Sequence, residues 1–235
     1  MCAAGSWAEV MAQPALARLR LVAASLPGHA GAPPPDDFSM ENYARFTADL
    51  ATKIGADVVV GFSMGASVAL EMVAAGRFTG PAVLLGISLS ASDESMLFRA
   101  LVRLGDVFGG LPAAVLVKGA AALVRATPVS AERQAELRAD FARNAVGDVR
   151  HSVREYLRWL HRHRAPAERL CRAGVPTWVV HAERGDGGLT EHERGTLDAC
   201  PHAHLVTVPG DVFFLPNGVP ERIAELIVEA AATAG

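Results

Sequence analysis

The stretch VVVGFSMGASVALEMVA, at residues 58–74, constrains the fold of this chain more than any other. Three valines lead into the GFSMG motif of residues 61–65, and an alanine-rich segment follows, so the pattern predicts a strand, a sharp turn and a helix. A side chain at the tip of so tight a turn needs small neighbours, and the glycines at both ends of the motif would let strand and helix pass closely. Ser63 is therefore predicted to stand exposed at the carboxyl edge of a sheet, and the Met64 N–H to point to where an oxyanion could form. The alternative is a glycine-rich connection that carries a solvated serine.

Strand and helix patterns alternate on both sides of this motif. Apolar runs predict further strands at residues 19–24, 82–88, 175–181 and 203–208. Helical patterns are found at residues 40–54, from Glu191 onward, and at residues 220–231. This alternation predicts an α/β fold with a mostly parallel sheet flanked by helices, with the chemistry at the carboxyl ends of the strands.

One block interrupts the alternation. Residues 92–165 carry helical patterns only. We expect this block to be a helical cap inserted into a core made of residues 1–91 and 166–235.

Charge and cysteine content narrow the function classes. The 22 Lys and Arg residues against 25 Asp and Glu residues give a net charge of −3 without a long block of one sign, so no nucleic-acid partner is expected. Cys2, Cys171 and Cys200 are odd in number and lack metal-ligand spacing, so we expect no disulfide framework, no zinc site and a reducing, cytoplasmic location. No other cofactor is expected.

A signal peptide has a basic segment followed by an apolar run, and the amino terminus of this chain shows no such pattern. The longest apolar stretch, residues 111–124, contains Lys118 and is too short to span a bilayer, so no integral membrane segment is expected. This stretch is interpreted as a helix over a pocket or in a core, with peripheral membrane contact left open.

Several motifs in this order resemble the α/β-hydrolase superfamily. They are the GFSMG motif, the LPGHAGAP loop, the helical block and the HAERGDGGLT loop, and the nearest likeness is to small capped esterases, lactonases and carbon–carbon hydrolases. The resemblance implies a Ser–acid–His triad in that chain order. It makes Ser63 the nucleophile and Asp186 the acid, although Asp186 could instead serve only as a turn residue between glycines. Glu183 and Asp93 are weaker candidates for the acid.

The histidine departs from the family pattern. The family has it in the loop after the last strand, where this chain reads VPGDVFFLP and places Phe213 at the expected position. His181 and His192 are the histidines predicted near the correct edge, and either could be the base. Asp211 lies in the correct loop, but an unperturbed aspartate, with a pKa of about 4, is a poor base unless burial raises that pKa. The resemblance gives His29, in the LPGHAG turn, a structural role.

The amino-terminal part of the chain also departs from the pattern of the α/β-hydrolase superfamily. The family has a hairpin and a central strand before the segment at residues 19–24, and that strand ends in a His-Gly oxyanion loop. The missing strand would lie between residues 19–24 and the strand that leads to Ser63. A start codon placed too far downstream, closure of the two strands, or cover from a homo-oligomer could each account for this. Ala3, or its neighbour Ala4, is the candidate for the second oxyanion amide.

The sequence thus predicts a hydrolase that attacks a small, largely apolar ester, lactone or thioester through Ser63. The main alternative is a non-hydrolytic protein of the same fold, with ligand binding or lyase or isomerase chemistry, because Phe213 replaces the histidine. An acyltransferase would be favoured if the pocket excludes water. Each alternative implies a small-molecule partner.

Overall fold

A parallel sheet forms the centre of the protein. The computed structural model describes residues 3–163, 165–184, 189–211 and 214–234, without the side chains at positions 106–108 and 120. Among these residues the strands are β1 (Val59–Phe62), β2 (Ala82–Leu85), β3 (Thr177–Arg184) and β4 (Ala203–Asp211). They are all parallel and lie in the order β1-β2-β3-β4. The predicted α/β class with a parallel sheet is confirmed.

Eleven α-helices surround this sheet in the described part of the chain. They are α1 (Ala8–Met11), α2 (Met40–Ile54), α3 (Met64–Ala74), α4 (Met96–Phe108), α5 (Leu111–Leu123), α6 (Ala131–Ala142), α7 (Val146–Arg162), α8 (Pro166–Ala173), α9 (Glu191–Asp198), α10 (Leu215–Gly218) and α11 (Pro220–Ala232). Short 3-10 segments occupy Ala4–Trp7, Pro14–Leu16 and Val124–Ala126. None of the described helices is both long enough and apolar enough to cross a bilayer.

The strands bury apolar side chains on both faces, as buried parallel strands do. Along β3, Val179 faces a core shared with α2, α3 and α8, whereas Val180 faces a second core shared with α1 and α11. Alternation of side chains across a strand produces these two layers. Residues 92–165 contain α4 to α7 and no strand where they are described. That this block is an inserted cap stays a prediction.

Helix α2 shows how local sequence sets the elements. Its bounds match the prediction, because Ser39 Oγ accepts the N–H of Asn42 at 3.2 Å and caps the first turn. At the other end Gly55 adopts φ 63°, a left-handed conformation that glycine takes at little cost.

The predicted strand at residues 19–24 is wrong. This segment has no strand conformation, and Leu19 and Val22 are exposed. Strand β1 is an edge of the described sheet, and the segment lies across a cavity from it without pairing. The two strands therefore do not close up. An apolar run reports only that a segment suits a half-buried pleated surface, whereas strand structure requires a hydrogen-bonded neighbour.

The expectation of no disulfide is also corrected. Cys171 and Cys200 are joined by a disulfide with a Cα–Cα distance of 5.7 Å, across 29 residues of sequence. Cys171 is in α8 and Cys200 follows α9, and these two helices pack side by side. The contact arises from tertiary packing, so short-range cysteine spacing could not reveal it.

Candidate active site

The turn between β1 and α3 holds Ser63 in a strained conformation. Ser63 has φ 52° and ψ −123°, and its N–H donates to the carbonyl oxygen of Leu85 in β2 at 2.9 Å. A positive φ costs a residue with a side chain about 1 to 3 kcal/mol, and such residues concentrate at functional sites. Ser63 is exposed at the carboxyl end of β1, as the sequence predicts.

Gly61 makes this turn sterically feasible. A Cβ atom at Gly61 would lie 2.3 Å from the carbonyl oxygen of Gly65 and 2.6 Å from the Cα of Ala66. The strand and the helix therefore approach so closely that only glycine fits at position 61. A Cβ atom at Gly65 would meet nothing within 4 Å, so the expectation that both glycines permit the approach holds only for Gly61.

A large cavity lies above Ser63. Its volume is about 1070 Å³, and mostly apolar side chains line it. Ser63 and Met64 contribute from the turn, Phe98 and Leu116 from the helical block, and Phe214 from the segment after β4. The cavity continues between β1 and residues 19–26. The hydroxyl of Ser63 thus meets a space large enough for a small organic molecule.

The Met64 amide lies at the amino end of α3, next to Ser63. Met64 is the first residue of α3, so its N–H has no acceptor within the helix and lies at the positive end of the helix dipole. Ala3 is buried and lines the same cavity. The neighbouring N–H of Ala4 donates to Ser25 Oγ at 3.0 Å and is therefore occupied. The structure brings both predicted oxyanion residues, Met64 and Ala3, to one cavity.

The three predicted bases lie elsewhere, although all three are described residues. His181 is buried in β3, two strands from β1 and hence roughly 10 Å away across the sheet. His192 is largely exposed on α9, with Nε2 2.8 Å from Glu168 Oε1. Asp211 is exposed at the end of β4, on the far edge of the sheet. None of the three lines the cavity.

Of the candidate acids singled out in the sequence, only Asp93 is found at the cavity in the described part of the chain. Asp186 and Phe213 lie outside the described residues. Asp93 is buried at the cavity, and its carboxylate accepts the N–H groups of Leu89 and Ser90 and the Ser90 hydroxyl at 2.8 to 2.9 Å. Burial raises the pKa of Asp93, and the nearby Glu193 adds to the effect. Glu183 is exposed at the end of β3.

His29 carries the only imidazole among the described residues that line the cavity. Its Nδ1 lies 3.1 Å from the carbonyl oxygen of Pro27. Burial is the main cause that lowers the pKa of His29 to about 3, so the ring is neutral at physiological pH. A base this weak fits the structural role that the sequence implies for His29.

A polar cluster at the cavity was missed from the sequence. Tyr156 Oη donates to Glu94 Oε1 at 2.6 Å, and Ser88 Oγ donates to the same oxygen at 2.7 Å. All three residues line the cavity. Burial, followed by the Glu94 charge, raises the pKa of Tyr156 well above its ordinary value, so the phenol stays a proton donor. Their positions in the sequence could have indicated this cluster, because Ser88 ends a predicted strand and Glu94 follows it, at the sheet edge where active sites lie.

The family model described as "Alpha/beta hydrolase family" matches residues 2–226. The chain belongs to the alpha/beta hydrolase family. Among curated proteins no sequence matches it.

Several solved structures of hydrolases share the fold of this chain. An esterase from Thermogutta terrifontis, solved with malate bound, superposes with a TM-score of 0.76 at 17% identity, over 99% of this chain and 86% of that chain. A haloalkane dehalogenase from Bradyrhizobium elkani gives 0.77 at 16% identity, over 99% and 87%. An N-acyl homoserine lactonase complexed with N-hexanoyl homoserine gives 0.71 at 18% identity, over 97% and 86%. Identities this low establish a common architecture and leave the substrate open.

Proposed function

We propose that this alpha/beta hydrolase family member is a serine hydrolase that cleaves a small, largely apolar ester, lactone or thioester. The observation that carries the proposal is the strained, exposed Ser63 at the amino end of α3, facing a mostly apolar cavity of about 1070 Å³. The esterase and lactonase among the similar structures act on carbonyl compounds by their names, which supports the same substrate class.

In the proposed reaction Ser63 Oγ attacks the carbonyl carbon. The Met64 N–H, with the Ala3 amide as second donor, stabilises the negative charge that develops on the carbonyl oxygen. The acyl group then remains on Ser63 while the alcohol or thiol leaves, and water releases the acid in a second attack. Asp186 stays the acid that the family resemblance implies for a histidine base, and it takes no part in the scheme with Glu94 that follows.

The proton of Ser63 needs an acceptor, and in this proposal Glu94, a carboxylate that lines the same cavity, accepts it. Its Oε1 is held by Tyr156 and Ser88, so Oε2 remains to accept a proton. Asp93 is less suited because Leu89 and Ser90 already occupy its oxygens. In this scheme Glu94 takes the Ser63 proton, delivers it to the leaving oxygen or sulfur, and repeats the transfer with water.

A non-hydrolytic, ligand-binding function is the second candidate. The observation that favours it is that His29, a neutral and weakly basic ring, provides the only imidazole among the described lining residues. Loss of a triad member leaves only about a thousand- to ten-thousandfold acceleration over water. Binding without turnover would follow if neither Glu94 nor another group activates Ser63.

Hydrolysis of p-nitrophenyl butyrate and of a γ-lactone by the purified protein tests the proposal. We expect Ser63→Ala to lower kcat/KM at least a hundredfold and Glu94→Gln to lower kcat with little change in KM. Ser92→Ala is the matched control, because Ser92 is an exposed serine two residues before Glu94 and does not line the cavity. Equal turnover by the wild type and Ser63→Ala would refute the proposal. Saturable binding of the same compounds without turnover would favour the second candidate.

A further inference from the structure

Helices α4 and α5 form a two-helix hairpin with an apolar outer surface. On the inner side, Phe98 and Val102 of α4 and Ala113 of α5 pack against α7. The outer side presents six large apolar side chains, which we name the α4–α5 face: Met96, Leu97, Leu104, Leu111, Val115 and Leu123. Met96, Leu97 and Leu111 are 79%, 70% and 67% exposed. Isolated exposed leucines are ordinary on a protein surface, whereas several large exposed apolar side chains on two packed helices favour an interaction site.

Cations border this face. Arg103 is exposed seven residues after Met96, and Lys118 is exposed seven residues after Leu111. Seven residues are two helical turns, so each cation lies on the outer side of its helix. Neither forms an ion pair with a described residue. Each helix thus combines an apolar stripe with a cation that has no ion-pair partner among the described residues.

The local charge opposes that of the whole chain. Residues 95–126 contain four cations (Arg99, Arg103, Lys118 and Arg125) and one acid (Asp106), a net charge of +3, whereas the whole chain carries −3. A second copy of this face would bring like charges together at the contact. An anionic surface with an apolar interior would instead match both the cations and the apolar stripe.

We propose that the α4–α5 face docks onto an anionic lipid bilayer. Each helix has 13 residues, about 20 Å long at 1.5 Å per residue, so the hairpin lies along the surface and does not cross it. The apolar side chains enter the boundary between headgroups and acyl chains, and Arg103 and Lys118 contact lipid phosphates. This docking requires no catalysis and stands apart from the proposed hydrolysis.

Docking would bring the cavity close to the lipid. Leu97, Val115 and Leu123 belong to the α4–α5 face and also line the cavity above Ser63. The mouth of the cavity therefore opens beside the docked surface. Apolar molecules dissolved in the bilayer would enter it without crossing water.

Flotation of the full chain with lipid vesicles tests the proposal. We expect binding to vesicles of phosphatidylcholine with phosphatidylglycerol, weak binding to phosphatidylcholine alone, and release in high salt. Arg103→Glu with Lys118→Glu should weaken binding at least 25-fold, at about fivefold for each charge lost. The control, Lys53→Glu with Arg77→Glu, changes the net charge equally at exposed sites outside the face and should bind normally.

Apolar variants test the other half of the contact. Met96→Gln with Leu104→Gln and Leu111→Gln removes three exposed side chains that do not line the cavity, and it should weaken binding at least tenfold. Val228→Gln, at an exposed site on α11, is the control. Circular dichroism verifies that each variant is folded. Equal binding by face and control variants, absence of binding to anionic vesicles, or a solution dimer that these face variants dissociate would overturn the proposal.

Discussion

The backbone of α3 approaches Gly61 so closely that no side chain fits at this position. Gly61→Ala would force a methyl group into the Gly65 carbonyl and the Ala66 Cα. Because both obstacles are backbone, the turn must open, and we expect a loss of about 1 to 3 kcal/mol in the free energy of unfolding. Urea denaturation measures this loss.

Gly65→Ala is the matched control for that experiment. A methyl group at Gly65 meets nothing within 4 Å and sits in the first turn of α3, so it should leave stability unchanged or raise it by up to about 1 kcal/mol. If the two variants unfold at the same urea concentration, the close approach of strand and helix is not what requires Gly61.

At the candidate site, the turn that carries Ser63 could be predicted from the sequence, whereas its acid–base partners could not. The turn at Ser63 is local, so its strand, sharp turn and helix start could be predicted from residues 58–74, whereas the positive φ is seen only in the structure. The acid–base partners come from distant segments, and their positions depend on packing. His181 and His192 have suitable positions in the chain, yet the fold places one inside the sheet and the other on the surface, while Glu94 and Tyr156 meet across 62 residues.

At the scale of elements, one buried ion pair joins three helices. Glu71 of α3 accepts hydrogen bonds from Arg169 of α8 at 2.9 and 3.0 Å and from Trp159 Nε1 of α7 at 2.9 Å. Glu71→Ala leaves both donors without their acceptor, so we expect a loss of about 3 kcal/mol in unfolding free energy. Glu225→Ala, in the exposed Arg222 pair of α11, should cost less than about 1 kcal/mol.

The same pair predicts a pH dependence. Burial raises the pKa of Glu71, but the hydrogen bonds from Arg169 and Trp159 outweigh it and hold the pKa below its ordinary value of 4.5. A lowered folded-state pKa stabilises the protein above the unfolded-state pKa, and this contribution disappears as the pH falls through the folded-state value. The stability difference between wild type and Glu71→Gln should therefore be full at pH 7 and shrink below pH 4.5. A difference that grows on acidification would contradict this assignment.

The disulfide between Cys171 of α8 and Cys200 predicts that reduction lowers the stability of the protein. A crosslink across 29 residues lowers the entropy of the unfolded chain, and its reduction should cost about 3 to 4 kcal/mol. Thermal unfolding with and without dithiothreitol measures the effect, and Cys200→Ser should unfold like the reduced protein. If dithiothreitol lowered the melting temperature of Cys200→Ser as much as that of the wild type, the crosslink would not be the cause.

On the scale of the whole molecule, the parallel sheet and its flanking helices could be predicted because apolar strands and amphipathic helices alternate along the chain. Residues 19–24 and the pair Cys171 and Cys200 could not, because both depend on which segments become neighbours in the fold. Residues 19–24 were expected to form a strand and have no strand partner among the described residues, and the cysteines form a bond that their spacing does not suggest.

The proposed hydrolysis requires Ser63 to be an activated nucleophile inside a cavity. Incubation of the protein with a fluorophosphonate probe, followed by peptide mapping by mass spectrometry, shows whether it is. We expect one phosphonylated residue, Ser63, with labelling absent in Ser63→Ala and unchanged in Ser92→Ala. An unlabelled wild-type protein, or labelling that persists in Ser63→Ala, would contradict the proposed hydrolysis.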